Sequence, residues 1–202
     1  MGFFSDVHTE FLRPSILLTP KDRRMGRIYS LEDFAAELAE AYKDMDVIVA
    51  AGDVGSGENA VGFLRMAFPE KPVIFTPGNH EFWGGELFST HNKMQAACEG
   101  TNIHYLPAGE VVEIEGAGSP LAARSCRAAS QGVRFCGATL WTDYLLTDSA
   151  YAMTSAENLM NDFRRIRIRR LSASGINGAY SHLKPQQLLG FHRQHLLRIK
   201  SE

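Results

Sequence analysis

The stretch that decides the fold is residues 47–53, Val-Ile-Val-Ala-Ala-Gly-Asp. Its apolar run, residues 47–51, predicts a strand that is covered on both faces. The carboxylate of Asp53 follows where that strand would end. A second apolar run, residues 73–75, is followed in the same way by Asn79. Because the carboxyl ends of neighbouring parallel strands meet at one edge of a sheet, we expect Asp53 and Asn79 to lie close together.

Helical patterns alternate with these strands. Ser30, with Asp33 at the third position, predicts a helix cap, and apolar residues recur at helical spacing after it. Residues 59–67 predict a second helix, and the spacing of apolar side chains from Leu87 to Cys98 predicts a third. This β-α-β-α-β order indicates an α/β fold with a sheet that is at least partly parallel.

The second half of the chain is richer in strands. Short strands are predicted at residues 103–106, 111–114 and 133–139, and a surface insertion is predicted at 116–131. Pro185 suits the first turn of a final helix, along whose side apolar residues recur. We expect an exposed sheet edge near the end of the chain, through which self-association could occur.

A third cluster, Ser5-Asp-Val-His8, completes a candidate metal site. If this segment is a strand, the side chains of Asp6 and His8 point to the same face, two residues apart. Oxygen and imidazole donors without thiolates suit manganese, iron or zinc, and they do not suggest a closed structural zinc site. The sequence therefore predicts a metal site built from Asp6, His8, Asp53 and Asn79.

The order of these clusters resembles the calcineurin-like metallophosphoesterase superfamily. Its signature runs Asp-x-His, Gly-Asp and Gly-Asn-His-Asp/Glu, which matches residues 6–8, 52–53 and 78–81 here. The resemblance extends through residues 137–143 and 160–165. It implies a single domain over residues 1–202, an α/β sandwich of two mixed β-sheets flanked by helices, here with its C-terminal strands missing.

The resemblance also implies an activity and a role for each residue. Two divalent ions (Mn, Fe or Zn) activate a water that hydrolyses a phosphate mono- or diester, as in a phosphodiesterase. Asp6 and His8 would bind one ion, Asn79 the other, and Asp53 would bridge them. His80 would act on the phosphate as the catalytic residue, and Glu81 would be the carboxylate supporting His80. The implied substrate is a phosphorylated small molecule or nucleotide.

The last two blocks of the family signature, a lone His and Gly-His-x-His, are not found. No Gly-His dipeptide occurs, and the histidines after His104 are His182, His192 and His195. We therefore expect a truncated form with a weak second metal site. The alternatives are impaired catalysis, with phosphate or nucleotide binding retained, or a second site completed by these histidines. For His192 and His195, a packing role is favoured.

Two other patterns suggest phosphate binding. Residues 55–60, Gly-Ser-Gly-Glu-Asn-Ala, fit the dinucleotide fingerprint G-x-G-x-x-A, but the acidic residue expected about 20 positions later is missing at the end of the next strand. The basic run of residues 164–170, Arg-Arg-Ile-Arg-Ile-Arg-Arg, could contact phosphates, although a solvated basic face is the favoured interpretation.

Composition restricts the remaining classes. The 202 residues carry a net charge of −2 and are 45% hydrophobic, which favours one globular domain without a general attraction to nucleic acid. Three cysteines, Cys98, Cys126 and Cys136, fit reduced thiols better than a disulfide framework. Neither a signal peptide nor a membrane span is indicated. We expect a soluble cytoplasmic protein that does not bind a membrane.

Overall fold

The computed structural model describes residues 1–12, 30–115, 132–146, 148–172 and 175–202. Its main sheet has four parallel strands in the order β1-β2-β3-β4. These are β1 (Gly2–Phe4), β2 (Ile48–Ala51), β3 (Val73–Thr76) and β4 (Ile103–Tyr105). The predicted strands at residues 47–51, 73–75 and 103–106 are thereby confirmed. The carboxyl ends of β2 and β3 do meet at one edge of the sheet.

Three helices lie between successive strands of this sheet in the sequence, because parallel neighbours need a crossover connection. They are α1 (Leu31–Ala41), α2 (Glu58–Ala67) and α3 (Leu87–Cys98). Ser30 and Asp33 form the predicted capping box: the Ser30 hydroxyl accepts from the Asp33 backbone, and the Asp33 carboxylate accepts from the Ser30 backbone. The main core is formed by buried side chains of the sheet and of α2 and α3, among them Ile48, Phe63, Leu64, Phe75 and Met94.

The remaining strands form two antiparallel pairs. One consists of β5 (Ala108–Ile114) and β6 (Val133–Ala138), and the other of β7 (Arg167–Ser172) and β8 (Gly175–His182). The described strands thus form one parallel sheet, whose strands are joined by helices, and two antiparallel pairs. The predicted insertion at 116–131 lies outside the described residues.

Helices complete the second half of the chain. They are α4 (Ser149–Leu159), the short α5 (Asp162–Arg165) and α6 (Pro185–Ser201). The last begins at Pro185 as predicted, and it buries Leu188 and His195. None of the helices in the described part of the chain is both long and apolar enough to cross a bilayer.

Candidate metal centre

The segments that follow β1 and β2 run side by side beyond the ends of the strands. The backbone N–H groups of Asp6 and His8 donate to the carbonyls of Gly52 and Asp53, at 3.1 and 3.0 Å. The pairing continues at the next residue, because the Thr9 hydroxyl donates to the Val54 carbonyl at 2.7 Å. Two segments that are about 45 residues apart in the sequence are therefore held in register where the proposed ligands lie.

Asp6 and His8 do not lie on a strand, contrary to the sequence prediction. The strand ends at Phe4, and both residues adopt the left-handed backbone conformation, with φ of 56° and 48°. Asp53 does the same, with φ of 53°. This conformation disfavours residues that carry a Cβ, by about 1–2 kcal/mol each. Such strain concentrated at three proposed ligands is typical of a functional site.

The turns nevertheless bring the predicted side chains together. One ligand atom from each of Asp6, His8 and Asp53 lies within 4.8 Å of the others. Two carboxylates and an imidazole at this spacing suit a divalent cation such as manganese, iron or zinc. This part of the predicted site is therefore geometrically suited to a metal ion.

Gly78 allows the third segment to approach Asp53. A Cβ at Gly78 would lie 2.2 Å from Oδ1 of Asp53, which no real contact permits. The same Oδ1 accepts a hydrogen bond from the His80 backbone at 2.9 Å. Glycine is therefore required at this position, because the carboxylate of Asp53 occupies the space that a side chain would fill.

Asn79 is oriented by a residue distant in sequence. Its side-chain nitrogen donates to Oδ1 of Asp162 at 2.7 Å, and the indole nitrogen of Trp83 donates to the same oxygen at 2.8 Å. Asp162 is only 3% exposed, so it is a buried anchor for Asn79. With the amide nitrogen directed at Asp162, the amide oxygen of Asn79 remains as the atom that can serve as a ligand.

His80 lies between a carboxylate and an indole. Its Nδ1 is 2.7 Å from Oε1 of Glu10, and its ring stacks on Trp83 with the centroids 3.5 Å apart. The His8 ring lies 4.3 Å away, centroid to centroid. Burial raises the pKa of Glu10, but hydrogen bonds from His80, from the backbone of Glu10 and from His8 together outweigh this effect and leave that pKa below its usual value. The ring of His80 is therefore fixed in both orientation and plane.

Glu10 was not among the predicted site residues. It is nevertheless the partner of His80, and His8, Glu10 and His80 form a second group of potential ligands within 4.8 Å of one another. The signal was present in the sequence, since the acid stands two residues after His8 just as His8 stands two after Asp6. The pattern to recognise was Asp-x-His-x-Glu.

Glu81 has different partners from the one the sequence suggested. Its carboxylate is 1% exposed and accepts hydrogen bonds from the backbone, not from the His80 ring. Four N–H groups donate to it, those of Asp53, Val54, Gly55 and Gly78, over 2.6–3.2 Å. Burial raises the pKa of Glu81, and this effect outweighs the backbone hydrogen bonds that lower it. Glu81 thus joins the loop after β2 to the loop after β3.

This arrangement argues against the dinucleotide interpretation of residues 55–60. In that interpretation, backbone N–H groups of the loop would bind a pyrophosphate. The N–H of Gly55 donates to the Glu81 side chain, and that of Gly57 donates to the Glu81 carbonyl at 2.9 Å. The N–H groups of both fingerprint glycines are therefore already used within the protein.

The late histidines are not placed as replacement ligands among the described residues. Nδ1 of His192 is 2.8 Å from the Leu140 carbonyl, and His195 is buried in α6. His182 lines a cleft that also contains Glu10. The two potential ligand groups found in the described part of the chain include none of these three histidines.

Comparison with known proteins agrees with this geometry. The family model for calcineurin-like phosphoesterases matches residues 1–124, which include Asp6, His8, Glu10, Asp53 and residues 79–81. No curated protein matches the sequence. The match covers more than half of the 202 residues and contains the residues that the fold brings together at the edge of the main sheet. The chain belongs to the calcineurin-like phosphoesterase family.

Proposed function

We propose that this protein hydrolyses phosphate mono- or diesters in a metal-dependent reaction at the site of Asp6, His8, Asp53, Asn79 and His80. The observation that carries the proposal is the convergence of Asp6, His8 and Asp53 within 4.8 Å, with the ring of His80 directly beside His8. Ligands for a cation and a side chain able to transfer a proton therefore lie side by side, as hydrolysis of a phosphate ester requires.

The donor set fits divalent cations. Asp6 and His8 would hold one ion, Asn79 a second, and Asp53 would contact both. When bound, such ions neutralise developing charge on the phosphate and lower the pKa of a water molecule. We expect the second ion to bind more weakly than the first, because Asp53 and Asn79 are the two described residues assigned to it. One ligand fewer reduces affinity by about a hundredfold.

His80 is the proposed proton donor to the leaving oxygen. An ionised carboxylate only accepts hydrogen bonds, so Glu10 requires a hydrogen on Nδ1 of His80. The opposite ring nitrogen, Nε2, is then the atom that faces the substrate, and it can give a proton to the leaving oxygen when the ring carries a hydrogen on both nitrogens. Stacking on Trp83 fixes the plane of the ring, so that Nε2 keeps one direction. Glu10 and Trp83 therefore act by positioning His80.

Turnover of bis(p-nitrophenyl) phosphate and p-nitrophenyl phosphate tests the proposal. The protein is treated with a chelator and then supplied with manganese, zinc or magnesium. We expect hydrolysis only after metal is restored, and its loss in an Asp6→Asn variant, with Asp46→Asn as the matched control at an exposed site. Metal binding without turnover of either ester would instead identify a catalytically impaired homologue that retains the binding site.

A further inference from the structure

A positively charged cleft of about 460 Å³ opens beside His80. Two of its lining residues, Glu10 and Trp83, are those that contact the His80 ring. Most of its charge comes from Arg164, Arg165 and Arg167, and His182 also lines it. The cleft is therefore continuous with the proposed catalytic residue, and it shares Glu10 with the group of His8, Glu10 and His80.

The fold fixes the arginines at this place. Arg165 ends α5 and Arg167 begins β7. The isoleucines that follow them, Ile166 and Ile168, are 0% and 6% exposed, whereas both arginines are exposed to solvent. Backbone hydrogen bonds tie this segment to the loop after His80. The N–H of Gly84 donates to the Arg165 carbonyl at 2.9 Å, and the N–H of Arg167 donates to the Gly85 carbonyl at 3.0 Å.

The three arginines have no acidic partner among the described residues. Side-chain hydrogen bonds of Arg164 and Arg167 go to the backbone carbonyls of Asn158 and Gly84. The guanidinium of Arg165 lies over the Trp83 ring, 4.6 Å from its centroid. By contrast, Arg134 and Arg198 are paired with Glu202 and Glu110.

The acid that does line the cleft does not neutralise these arginines. Glu10 is within hydrogen-bond distance of His80 and His8, and it makes no ion pair with an arginine of the described residues. The cleft thus concentrates positive charge next to the point where a phosphate would be cleaved. Guanidinium groups are planar and donate two parallel hydrogen bonds, which matches phosphate oxygens.

We propose that this cleft binds a second phosphate group of the substrate. The inference rests on the proposed phosphoesterase function and narrows it: the substrate is a small phosphate ester that carries another phosphate away from the scissile one. The volume of the cleft is that of a small-molecule site. The net charge of −2 does not favour an extended nucleic acid partner.

Binding of two phosphonates that cannot be hydrolysed tests this assignment. Calorimetry on the manganese-loaded protein compares 1,3-propanediphosphonate with propylphosphonate. We expect the diphosphonate to bind at least about tenfold more tightly, because each charged hydrogen bond contributes substantially. The double variant Arg165→Gln/Arg167→Gln should lose this preference and keep its affinity for propylphosphonate.

Two variants control for folding and for general charge. Arg169→Gln removes an arginine that lines a different cleft, so the preference should persist. Arg165→Lys/Arg167→Lys keeps the charge and should restore part of the preference, with an unchanged melting temperature. Persistence of the preference in the Gln double variant, or an equal loss in Arg169→Gln or in the Lys double variant, would overturn the assignment.

The outcomes also separate this inference from the proposed function. Arginine-dependent diphosphonate binding without ester turnover would leave the second phosphate site standing and refute catalysis. Ester turnover without any preference for the diphosphonate would leave catalysis standing and refute the second phosphate site. If a ten-nucleotide oligothymidylate binds more tightly than the diphosphonate, with equal losses in the Arg165, Arg167 and Arg169 variants, the small-molecule assignment is wrong and the surface binds nucleic acid.

Discussion

The carboxylate of Glu10 lies 2.7 Å from Nδ1 of His80, and its other oxygen is buried without a hydrogen-bond partner in the described part of the chain. Replacing Glu10 with Gln keeps the shape of the side chain but removes its charge. We expect turnover to fall by about 10- to 100-fold, the usual effect of losing an orienting carboxylate. Metal content, measured by mass spectrometry, should stay the same.

The matched control is Glu40→Gln, on the exposed side of α1, which should leave turnover unchanged. The loss in Glu10→Gln should be larger for esters with poor leaving groups, because these depend most on proton donation. A parallel loss of bound metal would instead make Glu10 a ligand, together with His8.

His80→Ala should separate catalysis from metal binding. Its proposed contribution is made in the transition state, so kcat and kcat/KM should fall together, by about 10²–10⁴-fold. Manganese affinity, measured by calorimetry, should be almost unchanged. His104→Ala, on the edge strand β4, is the matched histidine control. If His80→Ala loses its metal, the role assigned to His80 is wrong.

Asp53→Asn should weaken metal binding more than any other single substitution at the site. Its carboxylate is the ligand proposed to contact both ions, and removing one ligand reduces affinity by about a hundredfold. Calorimetric titration with manganese compares the metal affinity of Asp53→Asn with that of Asp6→Asn, and we expect the larger loss in Asp53→Asn. A variant that binds at wild-type affinity would refute the assignment of Asp53 and most of the site.

Glu81→Gln should destabilise the fold. The amide has one acceptor oxygen for the four backbone N–H groups that now donate to the carboxylate, and its NH₂ would face donors. We expect the free energy of unfolding to fall by about 3 kcal/mol, as measured by urea denaturation. Glu99→Gln, at an exposed position after α3, should have little effect. An equal free energy of unfolding for the two variants would show that the hydrogen bonds of Glu81 do not stabilise the fold.

His195 should make stability depend on pH. Burial lowers the pKa of His195; Glu110 opposes this effect, and Arg198 and His192 add to it. Below the ordinary pKa of about 6.5, the unfolded chain takes up a proton that the folded chain does not. The free energy of unfolding should therefore decrease as the pH falls from about 7.5 through that window. His195→Leu should show a smaller decrease in urea denaturation, and an identical decrease would contradict the prediction.

Local sequence patterns were sufficient to predict the helices and strands named here. The apolar run before Asp53, the capping box at Ser30 and the proline that begins α6 all act within a few residues, and the structure confirms each. The meeting of Asp53 and Asn79 at one sheet edge followed from parallel pairing alone. These features depend on periodicity and backbone geometry, which a sequence displays directly.

The partners of the site residues could not be found in this way. Glu81 was expected to support His80, but backbone donors from two loops surround it and Glu10 takes that place. Asp6 and His8 converge through left-handed turns, because the strand before them ends at Phe4. Local spacing can point to Glu10 as a candidate, but which side chain it contacts depends on how loops from different strands pack together.

The hydrogen bonds that Asp162 accepts have a kinetic consequence. They join it to Asn79 and Trp83, 83 and 79 positions earlier in the chain. We expect contacts at such separations to form after the local ones, because closing a long intervening segment costs conformational entropy. During synthesis, the N-terminal sheet emerges from the ribosome well before α5. We therefore expect the nascent chain to pass through a stage in which Asp6, His8 and Asp53 are available to an ion while Asn79 still lacks its anchor.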